Sequence, residues 1–220
     1  MRKLLTSCAV AGLIAVLGTT AAGTNVLTNP GAETGDLTGW TVIDESEGGA
    51  VGAMQYILTP PLTPPAPNET GPHTGTYLFS GGRTTATTVE DVWWMTQTVA
   101  TGGAPVALGH VWGVTNSTEY FRLIVSEHLA DDSWNILYDS GQVNSAWTWT
   151  QNSFGPISLD PTTYEVEFKM GGRKPATVGS YNSSGLDDAY LELIPEPLTV
   201  LGMLMGLGGV GAYIRRRRMA

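Results

Sequence analysis

The chain contains short stretches in which apolar and polar residues alternate, and no long segment with the 3.6-residue period of an amphipathic helix. Alternation is clearest where Tyr164, Val166 and Phe168 are expected to face a core while Glu165 and Glu167 face water. Gly and Asn separate these stretches, which favours an all-β sandwich over an α/β fold. The predicted strands are Asn25–Thr28, Gly39–Ile43, Val51–Leu58, Thr76–Ser80, Val92–Val99, Val106–Val114, Tyr120–Ser126, Trp134–Tyr138, Thr148–Phe154, Thr163–Met170 and Ala189–Leu193.

One segment interrupts this pattern. Residues 59–75 contain six prolines, so they cannot pair as a central strand, and we expect a stiff, extended excursion. No internal repeat is visible. The body, residues 23–194, is long enough for one domain with its own core, and a targeting segment precedes and follows it.

The N-terminal segment, residues 1–22, has the pattern of a secretory signal peptide. Arg2 and Lys3 form a basic start, Leu4–Leu17 is apolar, and small residues lead to an expected cleavage after Ala22. Lipidation at Cys8 is disfavoured because most of the apolar run follows that cysteine. Removal of the signal peptide leaves a chain without cysteine. The exported protein must then be stabilised by core burial or a metal, because it can form no disulfide.

The C-terminal segment has the pattern of a membrane-spanning helix. Leu198 to Ile214 is 17 residues without a charge, which as a helix covers roughly 26 Å, near the lower limit for a bilayer core. Arg215, Arg216, Arg217 and Arg218 follow directly, and the positive-inside rule keeps such a cluster in the cytoplasm.

Residues 195–220 resemble the PEP-CTERM sorting signal of Gram-negative bacteria. The resemblance rests on Pro195, Glu196 and Pro197, the Gly-rich apolar helix, and the terminal Arg cluster, in that order. It implies export through the Sec translocon and transient anchoring by the C-terminal helix. It also implies recognition of the tripeptide by exosortase, and delivery to the outer surface or to an extracellular matrix rich in exopolysaccharide. A plain C-terminal membrane anchor is the alternative.

Charge is distributed unevenly. The whole chain has 11 basic and 20 acidic residues, but the body has five basic and 19 acidic residues, so its net charge is −14. Such a surface repels nucleic acid and anionic lipid and is suited to cations and neutral partners. The basic residues of the body are Arg83, Arg122, Lys169, Arg173 and Lys174.

The body also resembles the galactose-binding-like jelly rolls, a fold shared by many carbohydrate-binding modules. The stretch Asn29–Trp40, with the sequence NPGAETGDLTGW, is similar to the opening of that family. Thr74–Gly82, Gln97–Val99 and Leu186–Leu191 are similar to later strands, in the expected order. The resemblance implies a jelly-roll β-sandwich.

The same resemblance implies a structural Ca²⁺ where the first loop meets the last strand, with Glu33 and Asp187 at the ligand positions. Calcium takes about six to eight oxygen ligands, which loops readily supply. Asp187 has the parity of Ala189, Leu191 and Leu193, so it is expected to point inward, where a carboxylate requires a partner or a metal. The alternative is that Asp187 only caps a turn.

Tryptophan is the residue type that could bind a sugar, because a flat indole stacks on the apolar face of a sugar ring. Trp147 and Trp149 are two residues apart, so in a strand both point the same way and are the candidate glycan-binding residues. Trp93 and Trp94 point to opposite faces, so at most one of them belongs to the core. The alternative for each tryptophan is that it fills the core.

The sequence contains no GxSxG, HExxH, P-loop or EF-hand pattern, so no catalytic residue is predicted. We expect a non-catalytic protein of the cell surface or matrix, associated with exopolysaccharide and biofilm and able to bind glycans. A purely structural matrix protein and a secreted carbohydrate-active enzyme are the alternatives.

Overall fold

The computed structural model describes residues 23–44, 71–80, 91–115, 118–174 and 184–195. Within them the fold is all-β, as predicted. The strands are β1 Thr41–Asp44, β2 Phe79–Ser80, β3 Asp91–Ala100, β4 Val106–Val114, β5 Tyr120–His128, β6 Trp134–Asp139, β7 Thr150–Ser158, β8 Glu165–Lys174 and β9 Gly185–Ile194.

The strands form two antiparallel sheets. The five-stranded sheet has the order β1-β3-β8-β5-β6, and the four-stranded sheet has the order β2-β9-β4-β7. The chain passes repeatedly from one sheet to the other, so apart from the hairpin of β5 and β6, strands that are neighbours in a sheet are not consecutive in the sequence. Both sheets contribute residues to one buried apolar cluster, which makes the architecture a β-sandwich.

Alternation decides which side chains enter the core. On β8, Val166, Phe168 and Met170 are fully buried against side chains of the four-stranded sheet. Trp93 belongs to the core cluster, whereas Trp94 is buried on the opposite, outer face of β3, as its parity predicts.

The prediction for Tyr164 is wrong. Tyr164 is 41% exposed, because β8 begins only at Glu165 and Tyr164 lies just before it, between the strand and the turn at residues 161–162. Alternation constrains a side chain only within a strand, so the first residue outside the strand is free to face water.

The strand predictions differ from the structure mainly at the ends. Val106–Val114 has the predicted bounds. Asn25–Thr28 is not a strand, although the Val26 N–H donates to the Leu191 carbonyl oxygen at 2.9 Å and the Asn25 side chain bonds to β9. Val51–Leu58 lies outside the described residues.

The signal peptide and the sorting segment beyond Pro195 also lie outside the described residues. Among those that the structure describes, no helix is long and apolar enough to cross a bilayer.

Candidate functional site

The first loop and the last strand meet at one corner of the sandwich, as the calcium prediction requires. Glu33 is held over the segment before β2. Its Oε1 accepts hydrogen bonds from the backbone N–H groups of Thr76 at 3.0 Å and Tyr77 at 3.1 Å. The adjacent Ala32 has a φ of 57°, a left-handed conformation that turns the loop sharply at this point.

Asp187 lies at the same corner and is fully buried. The expected inward orientation is wrong, because a register shift pairs Asp187 with Trp112, which lies outside the core cluster, and places Leu186 in the core instead. The segment that contains His73 and Thr74 covers the carboxylate of Asp187. Its Oδ2 accepts from the N–H groups of His73 at 2.8 Å and Thr74 at 3.2 Å, and its Oδ1 accepts from the N–H of Asp188 at 2.8 Å. Burial raises the pKa of Asp187 to about 7, and the charge of Asp188 adds to that increase. The hydrogen bonds from the backbone oppose the shift without cancelling it.

Gly31 lies where the first loop passes close to the last strand. A Cβ added to Gly31 would lie 3.3 Å from Oδ1 of Asp187 and 3.8 Å from Cγ of Glu33. We call this region, built from Gly31, Glu33 and Asp187, the loop corner. Glu33 accepts from two backbone N–H groups, one of them shared between its two oxygens, and Asp187 accepts from three, so each carboxylate keeps capacity for a cation.

The loop corner fits calcium only in part. Within the described ranges, no group of three or more His, Cys, Asp or Glu residues is arranged to hold a metal. The further oxygens that calcium requires would have to be backbone carbonyls, which are acceptable ligands for this ion.

Beside the loop corner, His73 is fixed between a carboxylate and an indole. Its Nδ1 is 2.6 Å from Oδ2 of Asp188, and its ring stacks on that of Trp112 with centroids 3.9 Å apart. The Trp149 ring contacts His73 edge-on with centroids 5.7 Å apart, and its indole N–H donates to the carbonyl oxygen of Gly71 at 3.2 Å. Trp149 therefore secures the 71–76 segment against the four-stranded sheet.

The structure does not place Trp147 and Trp149 on one strand. β7 begins at Thr150, and Trp147 lies in the preceding turn with a φ of 70°. Its N–H donates to the carbonyl oxygen of Thr115 at 2.7 Å, and 38% of the residue is exposed. The geometric reason for pairing the two tryptophans is therefore wrong, because two-residue spacing aligns side chains only in extended backbone.

The outer face of the five-stranded sheet contains a cavity that the sequence did not reveal. Its volume is about 250 Å³. We call it the outer-face cavity. The residues that line it are Val92, Trp94, Tyr120, Phe121, Arg122, Gln142, Gly171, Gly172 and Arg173.

Cross-strand register explains how these residues meet. Trp94 on β3 and Arg122 on β5 are both direct partners of Gly171 on β8, and Tyr120 is the partner of Arg173. Gly171 is required because an added Cβ would collide with the backbone of β3 and lie 2.7 Å from the Trp94 ring. Because Gly171 has no side chain, the Trp94 indole can approach β8, and the space above Gly171 remains open as part of the cavity.

Positive charge surrounds this cavity. Arg122 donates from Nε to Oδ1 of Asp139 at 2.7 Å, and its Nη2 bonds to Oδ2 of the same carboxylate. This two-point contact orients the guanidinium, and the hydrogen bond from Arg122 is the main reason that the pKa of Asp139 is lowered. Lys169 Nζ lies 4.8 Å from the Trp94 ring centroid, a cation–π geometry.

The opposite end of the same outer face presents an exposed indole. Trp134 on β6 is 47% exposed and stacks on His128 with centroids 4.2 Å apart and an angle of 8°. His128 is fixed in turn by the Tyr164 hydroxyl at 2.8 Å from Nε2 and by Oε2 of Glu165 at 3.3 Å from Nδ1. Because His128 supports one face of the Trp134 indole, the other face is presented to solvent in a fixed orientation.

Comparison with solved structures identifies similar folds among carbohydrate-binding modules. The module TmCBM61, solved with β-1,4-galactotriose, has a TM-score of 0.51 and 19% identity over 76% of this chain and 97% of its own. A family 16 carbohydrate-binding module has a TM-score of 0.47 and 20% identity over 76% of this chain and 99% of its own. The enzymatically active domain of bacteriophage CBA120 tailspike protein 4 has a TM-score of 0.53 and 13% identity over 77% of this chain, which spans 21% of that one.

These similarities concern the fold. They agree with the predicted jelly-roll β-sandwich for the body of the chain. No protein-family model matches the chain, and the comparison with curated proteins finds no related sequence.

Proposed function

We propose that this protein binds a glycan along the outer face of its five-stranded sheet and catalyses no reaction. The observation that carries the proposal is the outer-face cavity, which combines aromatic residues with planar polar groups. Trp94 and Tyr120 supply apolar walls, while Arg122, Arg173 and Gln142 supply groups that hydrogen-bond to sugar hydroxyls.

The size of the cavity suits part of a longer chain. Its volume of about 250 Å³ is just below the roughly 300–1,000 Å³ of typical small-molecule sites, so it accommodates a sugar unit rather than a whole oligosaccharide. Trp134 stands on the same face near the other end of β5, where a further sugar ring could stack on it. The fold likeness to a module solved with a galactotriose supports the same proposal by analogy.

The test is binding of the purified protein to polysaccharides by isothermal titration calorimetry. The panel contains a neutral β-1,4-galactan, polygalacturonate and the exopolysaccharide of the source cells. Tyr120→Ala and Trp134→Ala are expected to weaken binding at least fivefold each, with the melting temperature recorded to show that the variants fold. If neither change alters affinity and Trp147→Ala abolishes it, the site lies at the turn before β7 and the outer face is the wrong place.

If no glycan binds, the purely structural alternative is favoured. Turnover of any panel polysaccharide, followed by release of reducing ends, would favour the enzyme.

We also propose that calcium occupies the loop corner, with Glu33 and Asp187 as ligands. The buried carboxylate of Asp187 supports this, since a cation would offset the cost of ionising it away from water. A calcium titration that leaves the thermal stability unchanged in metal-free buffer would contradict the proposal.

The cellular role that we propose is that of an exported surface or matrix protein, associated with exopolysaccharide and biofilm and processed by exosortase. Its support is the order of tripeptide, apolar segment and Arg cluster in residues 195–218. Mass spectrometry of surface material tests it, because sorting predicts mature protein without residues 198–220. Intact tails on the surface would favour the plain membrane anchor.

A further inference from the structure

We infer that the glycan bound at the outer-face cavity is acidic, carrying carboxylate or sulfate groups. This inference rests on the proposed glycan-binding function and names the chemical class of its ligand. Its starting point is the difference in charge between the outer face of the five-stranded sheet and the rest of the body.

Basic residues are rare in the body, and they are concentrated on one face. Residues 23–194 contain five basic and 19 acidic residues. Three of those five, Arg122, Lys169 and Arg173, lie on the outer face of the five-stranded sheet, on the adjacent strands β5 and β8. Two of the three, Arg122 and Arg173, line the cavity. Lys169 lies farther along the same face, which it shares with Glu165 and Glu167 because these residues have the same parity on β8.

The register places these cations close to one another. Along β8, Lys169 and Arg173 alternate with inward-facing residues, so both point outward, roughly 13 Å apart along the strand. Arg122 stands between them on β5, as the partner of Gly171. Arg122 and Arg173 therefore line the cavity from β5 and β8, and Lys169 flanks it at the Trp94 ring.

The lining of the cavity contains no carboxylate among the described residues, although the body has nearly four acidic residues for each basic one. Asp139 lies outside that lining and fixes Arg122. A neutral glycan requires hydrogen-bond donors, which amides and hydroxyls supply without creating positive potential. A negatively charged sugar has to overcome the repulsion of the −14 body, and a local cluster of cations supplies that attraction.

Arginine is also the side chain best matched to the groups in question. A guanidinium presents a planar fork of N–H donors that contacts a carboxylate or sulfate at two points, whereas a lysine acts as a point charge. Two of the residues that line the cavity are arginines: Asp139 contacts Nε and Nη2 of Arg122, and Arg173 carries the second guanidinium. This arrangement points to recognition of a planar or tetrahedral oxyanion beside a sugar ring.

The test compares three probes on the purified protein at two salt concentrations. The probes are polygalacturonate, dextran sulfate and neutral β-1,4-galactan, and binding is measured by isothermal titration calorimetry. We expect the acidic probes to bind at least tenfold more tightly than the neutral galactan and to weaken as salt is raised. The carboxylate and sulfate probes then decide which oxyanion is preferred.

Arg173→Gln should weaken binding of the preferred acidic probe about tenfold, the effect of losing one charge-assisted contact. The matched control is Gln151→Glu, which makes the same change in net charge at an exposed position of β7 on the other sheet. It should alter affinity less than twofold. Arg173→Lys, which retains the charge and removes the fork, should lie between the two.

The outcomes separate the inference from the proposed function. If neutral galactan binds as tightly as the acidic probes and Arg173→Gln binds like the unaltered protein, the glycan site stands and its acidity is refuted. If Gln151→Glu weakens binding as much as Arg173→Gln, net charge and not the cavity governs binding, which also overturns the inference. If no probe binds, the proposed glycan-binding function itself is wrong.

Discussion

The stability of the sandwich should fall as pH rises from about 4 to 7 in metal-free buffer, because of one buried carboxyl group. Asp187 is fully buried, and its pKa in the folded protein is about 7 against an ordinary value of 3.8. Between these values the folded state holds a proton that the unfolded state has released. The folded state therefore binds more protons in this range, and its free energy of unfolding decreases as the pH increases.

The magnitude follows from the size of the shift. A difference of about three pKa units corresponds to roughly 4 kcal/mol, since each unit is worth about 1.4 kcal/mol. This contribution is fully present below pH 4 and is lost by pH 7. It is a substantial part of the roughly 5–15 kcal/mol that stabilises a typical domain.

Comparison with Asp187→Asn isolates this group from the other carboxyls. The free energy of unfolding of both proteins is measured by urea denaturation at intervals between pH 4 and 8, in metal-free buffer. The unaltered protein should lose about 4 kcal/mol relative to the asparagine variant across this range. A difference that is independent of pH, or that favours the unaltered protein increasingly as pH rises, would refute the reasoning.

Calcium should reverse the sign of this dependence. A bound cation stabilises the ionised carboxylate, so in millimolar calcium the unaltered protein should gain stability relative to Asp187→Asn above pH 5. The same pH dependence with and without calcium would mean that Asp187 is a buried acid and not a metal ligand.

Three further changes test the outer face of the five-stranded sheet. Gly171→Ala should destabilise the fold by about 1–3 kcal/mol in urea denaturation, because the new methyl group has no room. The control Gly155→Ala should be near neutral, because nothing lies within 4 Å of the added Cβ. Equal effects of the two changes on stability would contradict the packing argument. Arg122→Gln should raise the pKa of Asp139 toward its ordinary value in a carbon-detected NMR titration, and an unchanged pKa would mean that the contact with Arg122 does not hold that carboxylate ionised. Trp134→Ala should cost only about 1 kcal/mol of stability because the indole is half-exposed, and a loss above 3 kcal/mol would identify Trp134 as a structural residue instead of a binding surface.

Local sequence patterns predicted the fold class and most strand positions. Val106–Val114 has the predicted bounds, and Val166 and Phe168 are fully buried as alternation required. These successes share a cause, since a strand that faces a core on one side must alternate along its own length. The failures at Tyr164 and Trp147 share a cause, since both residues lie just outside a strand, where alternation does not constrain the side chain.

The loop corner was predicted from a resemblance, and the structure places Gly31 close to both Glu33 and Asp187. Calcium binding by these two residues stays a prediction. Glu33 and Asp187 are 154 positions apart, so no local pattern could have joined them. The parity of Asp187 within β9 predicted a core-facing carboxylate, but a register shift breaks that parity, and Asp187 is buried under the segment of His73 and Thr74 instead.

The sequence by itself determined the alternating strands, the acidic body and the rarity of its basic residues. Only the tertiary structure decided that Trp94, Arg122 and Gly171 share one cavity and that Trp134 stacks on His128. The first grouping depends on the register of β3 and β5 against β8, strands that are about 50 to 80 positions apart in the chain. Such register is fixed by packing of the whole core and by backbone pairing between distant segments, and neither leaves a periodic signal in the residues that it brings together.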